Sequence, residues 1–174
     1  MDELILVDEH DNPIGKLDKT SVHEQGLLHR AFSLFVFNSK GEILLQQRAD
    51  HKYHSAGLWS NACCSHPRFG EELNTAVQRR MLVEMGMDCD PMFVFSFLYR
   101  VEFDNGLVEH EFDHVFFDVL EALPNINLEE VKSYKYLSMD NLEQELLNNP
   151  AYYTEWFKLC FPQVRSHYKR IFNA

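Results

Sequence analysis

Residues Trp59 to Met87 read WSNACCSHPRFGEELNTAVQRRMLVEMGM, and this run sets the frame for the rest of the chain. Its second half, Glu71 to Met85, has helical period, and Gly86 stands where a left-handed residue ends a helix. At 100° per residue Leu73, Ala76, Val77, Met81, Val83 and Met85 fill one apolar arc, with Arg80 and Glu84 in its middle. Charges on an inward face need partners. They form either an i,i+4 ion pair or a helix face lining a site, with Glu84 reaching a metal ion and Arg80 a ligand anion. The first half has no period: residues 49 to 70 hold Gly57, Pro67 and Gly70 and read as one long loop. Loops of that length inside compact domains are often functional. In it, a Cys two residues before a His is a nucleophile, an acid/base group or a metal ligand, unless Cys63 and Cys64 are simply two small buried thiols.

Toward the N-terminus, Glu3 to Asp8 alternates as a short strand and Asp11 to Gly15 is a turn by composition. Ala31 to Phe37 is nearly all apolar, a buried central strand that turns at Asn38-Ser39-Lys40-Gly41 into Glu42 to Gln47 as a hairpin. Toward the C-terminus, Phe93 to Glu102 and Leu107 to Leu120 are strands joined at Asp104-Asn105-Gly106, a strong hairpin signal. A strand over Ser133 to Leu137 follows, then helices over Met139 to Asn148 and Thr154 to Phe172, separated by Pro150. Hairpins mixed with helices, without regular βαβ units, predict an α+β fold with a mixed sheet flanked by helices. No repeat, low-complexity tract or linker interrupts it, so residues 1 to 174 are expected to form a single domain.

The 174 residues suffice for a real core, and 45 % apolar with 25 % charged is a globular composition. The net charge of −11 speaks against tracking nucleic-acid backbones. No run approaches the roughly 18 apolar residues of a membrane span. Met1 opens onto Asp2 and Glu3 rather than onto a signal sequence, which predicts a cytoplasmic protein whose four cysteines (63, 64, 89 and 160) are free.

Strand period two puts Leu107, Glu109, Glu111, Asp113, Val115, Phe117 and Val119 on one face. Glu109 and Glu111 then stand roughly 7 Å apart at the end of an apolar face. Like charges so placed call for a cation or a shared proton, unless the strand end frays into solvent. Among nine histidines, His23, His29 and His66 are candidate ligands, and His10, His51, His54, His110, His114 and His167 complete the set. Spacing alone does not single out three of them.

Taken together, these residues carry a resemblance. Ser65-x5-Glu71-x7-Arg79-Arg80-Met81-x-Val83-Glu84-x-Gly86-Met87 is similar to the Nudix signature G-x5-E-x7-R-E-U-x-E-E-x-G-U. It departs by Ser65 for Gly, Arg80 for Glu and Val83 for the first paired Glu. Those departures look like one branch of that superfamily, the type I isopentenyl-diphosphate isomerases. That branch's segments appear in order as His29-Arg30-Ala31-Phe32-Ser33, Gln47-Arg48-Ala49, Trp59 to Pro67, Arg79-Arg80, Glu84-x-Gly86 and Glu109-His110-Glu111. The resemblance implies a Nudix-like core over approximately residues 29 to 165, with an added N-terminal strand and C-terminal helix.

It further implies one Mn²⁺ or Zn²⁺ held by His23, His29, His66, Glu109 and Glu111, a donor set that suits either ion. It implies Mg²⁺ bridging Glu84 to a substrate diphosphate, and Lys19, Arg48, Lys52 and Arg80 gripping that diphosphate. Cys64 and Glu111 match the acid/base pair, Tyr99 its assisting hydroxyl, and Trp156 an aromatic wall for a carbocation. The implied activity interconverts isopentenyl and dimethylallyl diphosphates within isoprenoid biosynthesis; a Nudix-type diphosphate hydrolase and a non-catalytic binding module are the alternatives. The expected partner is a small diphosphate, with neither nucleic acid nor membrane.

Overall fold

The computed structural model describes residues 2 to 172. Its centre is β3 (His29–Phe37), buried along almost its whole length. An apolar run without alternation suits a strand covered on both faces. β8 (Val108–Val119) runs parallel to β3, with His29 opposite Glu111 at one end and Phe37 opposite Val119 at the other. β7 (Met92–Glu102) completes the expected hairpin with β8, turning at Gly106, whose φ is +82°. β1 (Glu3–Val7) meets the other edge of β3 through Leu6 and His29, and pairs outward with β2 (Pro13–Asp18).

β4 (Ile43–Arg48) departs from the hairpin expected of it. It meets β3 only at the turn, Phe37 opposite Ile43, and then splays away to pair with β9 (Val131–Leu137). Two short strands fill the wedge: β5 (Trp59–Ser60) on β4, and β6 (Cys63–Ser65) on β3. The expected loop over residues 49 to 70 is therefore a loop only in part. Buried Asn61 joins the two strands, its amide donating to Leu34 O at 3.1 Å and Cys63 O at 2.7 Å.

One face of the nine-stranded sheet is covered by α2 (Leu73–Met85), which buries Ala76, Val77, Met81 and Met85 against Phe32, Leu34, Val36, Leu44 and Cys63. Each of Val77, Met81 and Met85 contributes about 1.5–3 kcal/mol when fully buried. Leu73 only flanks this core, and Val83 lies on the solvent side at 42 % exposure, contrary to the expected arc. Gly86 ends α2 at φ +63°, and a Cβ there would strike the Asn125 carbonyl. The other face is covered by α3 (Met139–Asn148) and α4 (Glu155–Phe172), with Phe35, Phe37, Val115, Phe117, Trp156, Phe157 and Val164 between them. A single 3-10 turn, Pro150–Tyr152, separates these helices. One further helix, α1 (Lys19–Gln25), is capped by Asp18 Oδ1, which accepts from Ser21 N–H at 3.0 Å, and ends at left-handed Gly26. The mixed sheet between helices is the α+β architecture expected.

Candidate active site

One cavity lies where β3, β4, β6 and β8 meet α1 and α2. Lys19, Arg48, Lys52, Cys64, His66, Arg80, Glu84, Tyr99, Glu109, Glu111 and Trp156 all line it. Register explains much of this convergence. His29 and Glu111 are direct partners across β3 and β8, and Cys64 is the partner of Ser33 across β3 and β6. Cys63 and Cys64 point to opposite sides of β6: Cys63 is sealed in the core beneath α2, while Cys64 faces the cavity and packs beside the α4 core. In α1, the four-residue step from Lys19 to His23 keeps both on one side.

His23, His29, His66 and Glu111 bring one ligand atom each within 4.8 Å of one another. His23 Nδ1 lies 2.7 Å from Lys19 O, and His29 Nδ1 lies 2.8 Å from Leu27 O. Tautomers assigned from these partners put the proton on Nδ1 and leave both Nε2 lone pairs facing inward. His66 Nε2 then supplies the one shared proton, 2.9 Å from Glu111 Oε1 and 3.2 Å from His29 Nε2. His23 Nε2 is buried without a partner. Three imidazole nitrogens and a carboxylate oxygen around a single proton form a donor set that fits a divalent cation, with backbone carbonyls orienting two of the rings from behind.

Glu109 and Glu84 lie in the same cavity but outside this group of four. Glu109 Oε1 is 3.3 Å from His54 Nε2, and its Oε2 accepts from the Tyr99 hydroxyl at 3.2 Å. Glu84 accepts from Arg80 Nη2 at 2.5 Å and from Gln46 Nε2 at 2.9 Å. The α2 charges thus pair with each other and also line the cavity. Glu71 and Arg79 form a separate bidentate pair at 2.7 and 2.8 Å, which clamps the loop before α2 to the helix.

The electrostatics follow from burial. Burial pushes the Cys64 thiol up, against the opposing charge of Arg48, so the sulfur carries its proton. Burial and the neighbouring Glu111 push Glu109 up, while the hydrogen bond from His66 holds Glu111 low in spite of its burial. The two carboxylates the strand places side by side are therefore driven apart in proton affinity. Burial lowers His23, and takes His54 and His66 down to about 3.

Lys19, Arg48, Lys52 and Arg80 all line this one cavity. Arg48 lies over the Trp156 ring at 5.3 Å, and its Nε is buried without a partner. Lys52 and Arg80 both pair with Glu130, Arg80 at 3.4 Å. Sequence reasoning missed Glu130, which carries no periodic signal. It missed Ser33 and Asp113 as a pair, in which the buried Asp113 accepts at 2.7 Å from Oγ of Ser33, a residue that lines the cavity. It also left His54 outside the candidate ligands, whereas the side chain is only 6 % exposed and lines the cavity.

Comparison with known proteins bears on these features directly. The NUDIX domain model matches residues 27 to 157. The chain is 54 % identical over 159 residues to "Isopentenyl-diphosphate Delta-isomerase 2" of Photorhabdus laumondii, covering 91 % of this chain and 90 % of that one. It is 47 % identical over 167 residues to "Isopentenyl-diphosphate Delta-isomerase" of Pectobacterium atrosepticum, covering 96 % and 93 %. Among solved structures, the MutT protein of Methanosarcina mazei matches with a TM-score of 0.66 over 82 % of this chain and 96 % of its own, at 19 % identity. A protein of Deinococcus radiodurans matches at 0.70, over 84 % and 90 %, also at 19 % identity, which shows the fold alone. With the family model over most of the chain and close relatives over nearly all of it, the chain belongs to the Nudix domain family and, within it, to the isopentenyl-diphosphate Delta-isomerases.

Proposed function

We propose that the cavity interconverts isopentenyl diphosphate and dimethylallyl diphosphate by adding a proton at one carbon and removing one from another. The observation that carries this reading is the placement of the Cys64 thiol on β6 and of Glu111, with Tyr99 bonded to it, on β8, at the two edges of β3 and facing one cavity. Double-bond transposition through a tertiary cation needs two acid/base groups that reach the substrate from different sides. Cys64 and Glu111 serve as that pair, each giving a proton in one direction of the reaction and taking it in the other. Tyr99 hydrogen-bonds Glu111 and steadies its reactive oxygen. The Trp156 ring forms a wall whose π-face favours a cation.

Lys19, Arg48, Lys52 and Arg80 would hold the diphosphate, for which the unpartnered Arg48 Nε is one available donor. His23, His29, His66 and Glu111, with Glu109 as a fifth donor, would hold Mn²⁺ or Zn²⁺. Glu84 would meet Mg²⁺ that arrives with the diphosphate. A divalent ion beside Glu111 supplies charge that tunes its proton affinity and orders the site. A cytoplasmic setting, in which thiols stay reduced, suits a chain whose proposed acid/base group is a cysteine; none of its four is in a disulfide.

The test is to incubate the purified protein with isopentenyl diphosphate and Mg²⁺, then separate the products. Dimethylallyl diphosphate without free phosphate is expected. Release of phosphate would make the chain a hydrolase, and unchanged substrate with retained binding would make it a binding module.

A further inference from the structure

His54 belongs to no part of the machinery assigned above, yet it stands at the cavity's upper wall. It sits in the segment between β4 and β5 that also carries Lys52. That segment is bent by two left-handed residues, Ser55 at φ +53° and Gly57 at φ +71°. The bend is tied down at both ends: Gln47 Nε2 donates to Gly57 O at 3.0 Å, and Asn105 Nδ2, on the β7–β8 hairpin, donates to Tyr53 O at 2.9 Å. The imidazole stacks on Phe103 of that hairpin, with centroids 4.7 Å apart and planes at 20°, and approaches the Trp156 ring edge-on at 6.1 Å. Its Nε2 faces Glu109 Oε1 at 3.3 Å, and the two side chains are equally buried, at 6 % each.

The geometry points to His54 as a positioning residue that aims Glu109 into the metal site. Glu109 is the one carboxylate of the ligand set that stands outside the group of four, and its polar side-chain contacts among the described residues are Tyr99 and His54. A buried carboxylate without fixed partners rotates about its last two torsions. The imidazole, held by its stack on Phe103, sets Nε2 3.3 Å from one oxygen and leaves the other on the Tyr99 hydroxyl. A carboxylate–imidazole contact of this kind is how outer side chains orient metal ligands, and losing one commonly weakens metal affinity ten- to hundredfold. The same ring joins the Lys52 segment to the β7–β8 hairpin, so one residue couples the diphosphate-gripping loop to the metal side of the cavity.

This inference rests on the metal site of the proposed function but is tested without turnover. The affinity of chelator-stripped full-length protein for Mn²⁺ is measured against a competing chelator, for the parent and for His54→Gln, His54→Phe and His54→Ala. Gln keeps an N–H near the Nε2 position; Phe keeps the stack on Phe103 and has no donor. Ala and Phe should each weaken Mn²⁺ binding ten- to hundredfold, and Gln should recover most of it. In a Glu109→Gln background, His54→Phe should add little further loss, since the two act as a unit. The melting temperature of stripped His54→Phe should stay near that of the parent, which separates positioning from a merely structural role. Parental affinity in the Phe variant overturns the proposal. So does a Gln variant as weak as Ala, which would make His54 a direct ligand. A parent that binds Mn²⁺ but leaves isopentenyl diphosphate unchanged overturns the proposed function alone.

Discussion

The Tyr99 hydroxyl spans the paired carboxylates of β8, donating to Glu111 Oε2 at 2.7 Å while lying 3.2 Å from Glu109 Oε2. One hydrogen serves two buried acceptors, so the phenol is the hinge between the proposed proton-transfer group and the proposed fifth metal donor. Burial and both carboxylates raise its own proton affinity, and it remains a donor across the working range. Replacing it by Phe leaves a buried carboxylate short of a partner, which costs about 1–3 kcal/mol. If that loss falls on the transition state, turnover of Tyr99→Phe drops roughly ten- to hundredfold at nearly constant KM, measured by steady-state kinetics.

The two adjacent thiols should separate cleanly. Cys64→Ala removes the proposed proton-transfer group and should lower turnover by about 10² to 10⁴-fold, leaving diphosphate affinity largely intact. Cys63→Ala touches only the α2 core and should cost about 1 kcal/mol of stability with turnover retained. A dead Cys63→Ala and a normal Cys64→Ala would show that the other thiol does the chemistry.

Glu109→Gln keeps the shape of the side chain and removes its charge. Metal content after purification should fall along with activity. Full metal retention, read by elemental analysis, would remove Glu109 from the ligand set.

Acid should destabilise the metal-stripped protein through its histidines. His54 and His66 titrate near 6.5 when unfolded and near 3 when folded, because burial disfavours the imidazolium. A folded-state value below the unfolded one means the unfolded chain binds more protons in between. Their contribution is therefore complete above about pH 6.5 and drains away as the pH falls toward 3. Urea midpoints of stripped protein should decline steadily from pH 7 to pH 5, and less steeply in His66→Gln.

Met81 offers a test of the fold itself. It is fully buried under α2 between the sheet and the helix core, and Met81→Ala should cost about 2–5 kcal/mol. Leu82→Ala, one residue on and 54 % exposed, should cost well under 1 kcal/mol. Equal losses in thermal melts would mean that the helix face is misassigned.

How much of this was legible depended on period. The face of β8 was readable because alternation is strict, and Glu109, Glu111 and Asp113 are buried together as that alternation requires. Val83 was misplaced because it lies about 120° from Val77 on the helical wheel, at the margin of the arc where a residue can fall either way. β5 and β6 hold two and three residues, too few for any period to show. β2 contains Pro13 and Gly15 and lies mostly exposed at the sheet edge, where no apolar pattern is required. α1 is seven residues long, and the tertiary docking of His23 and Val22 holds it rather than propensity. The site residues Cys64, His66 and Glu111 were visible through the resemblance. His54 and Glu130 were not, because aperiodic segments carry no mark of what they fold against.

The three imidazoles of the proposed metal group come from α1, from the first residue of β3 and from just past β6, and the carboxylate comes from β8. An ion bound there ties the N-terminal third of the chain to its middle, and an ion that binds only the folded chain adds about 2.7 kcal/mol of stability at a hundred times its dissociation constant. That is a large share of what a domain of this size has to spare. Metal starvation would thus act twice: the surviving molecules would lose turnover, and the apo chains would open more often and fall to proteases sooner. A cell short of the ion would lose the protein itself, and the steady amount of this chain would follow the supply of its metal.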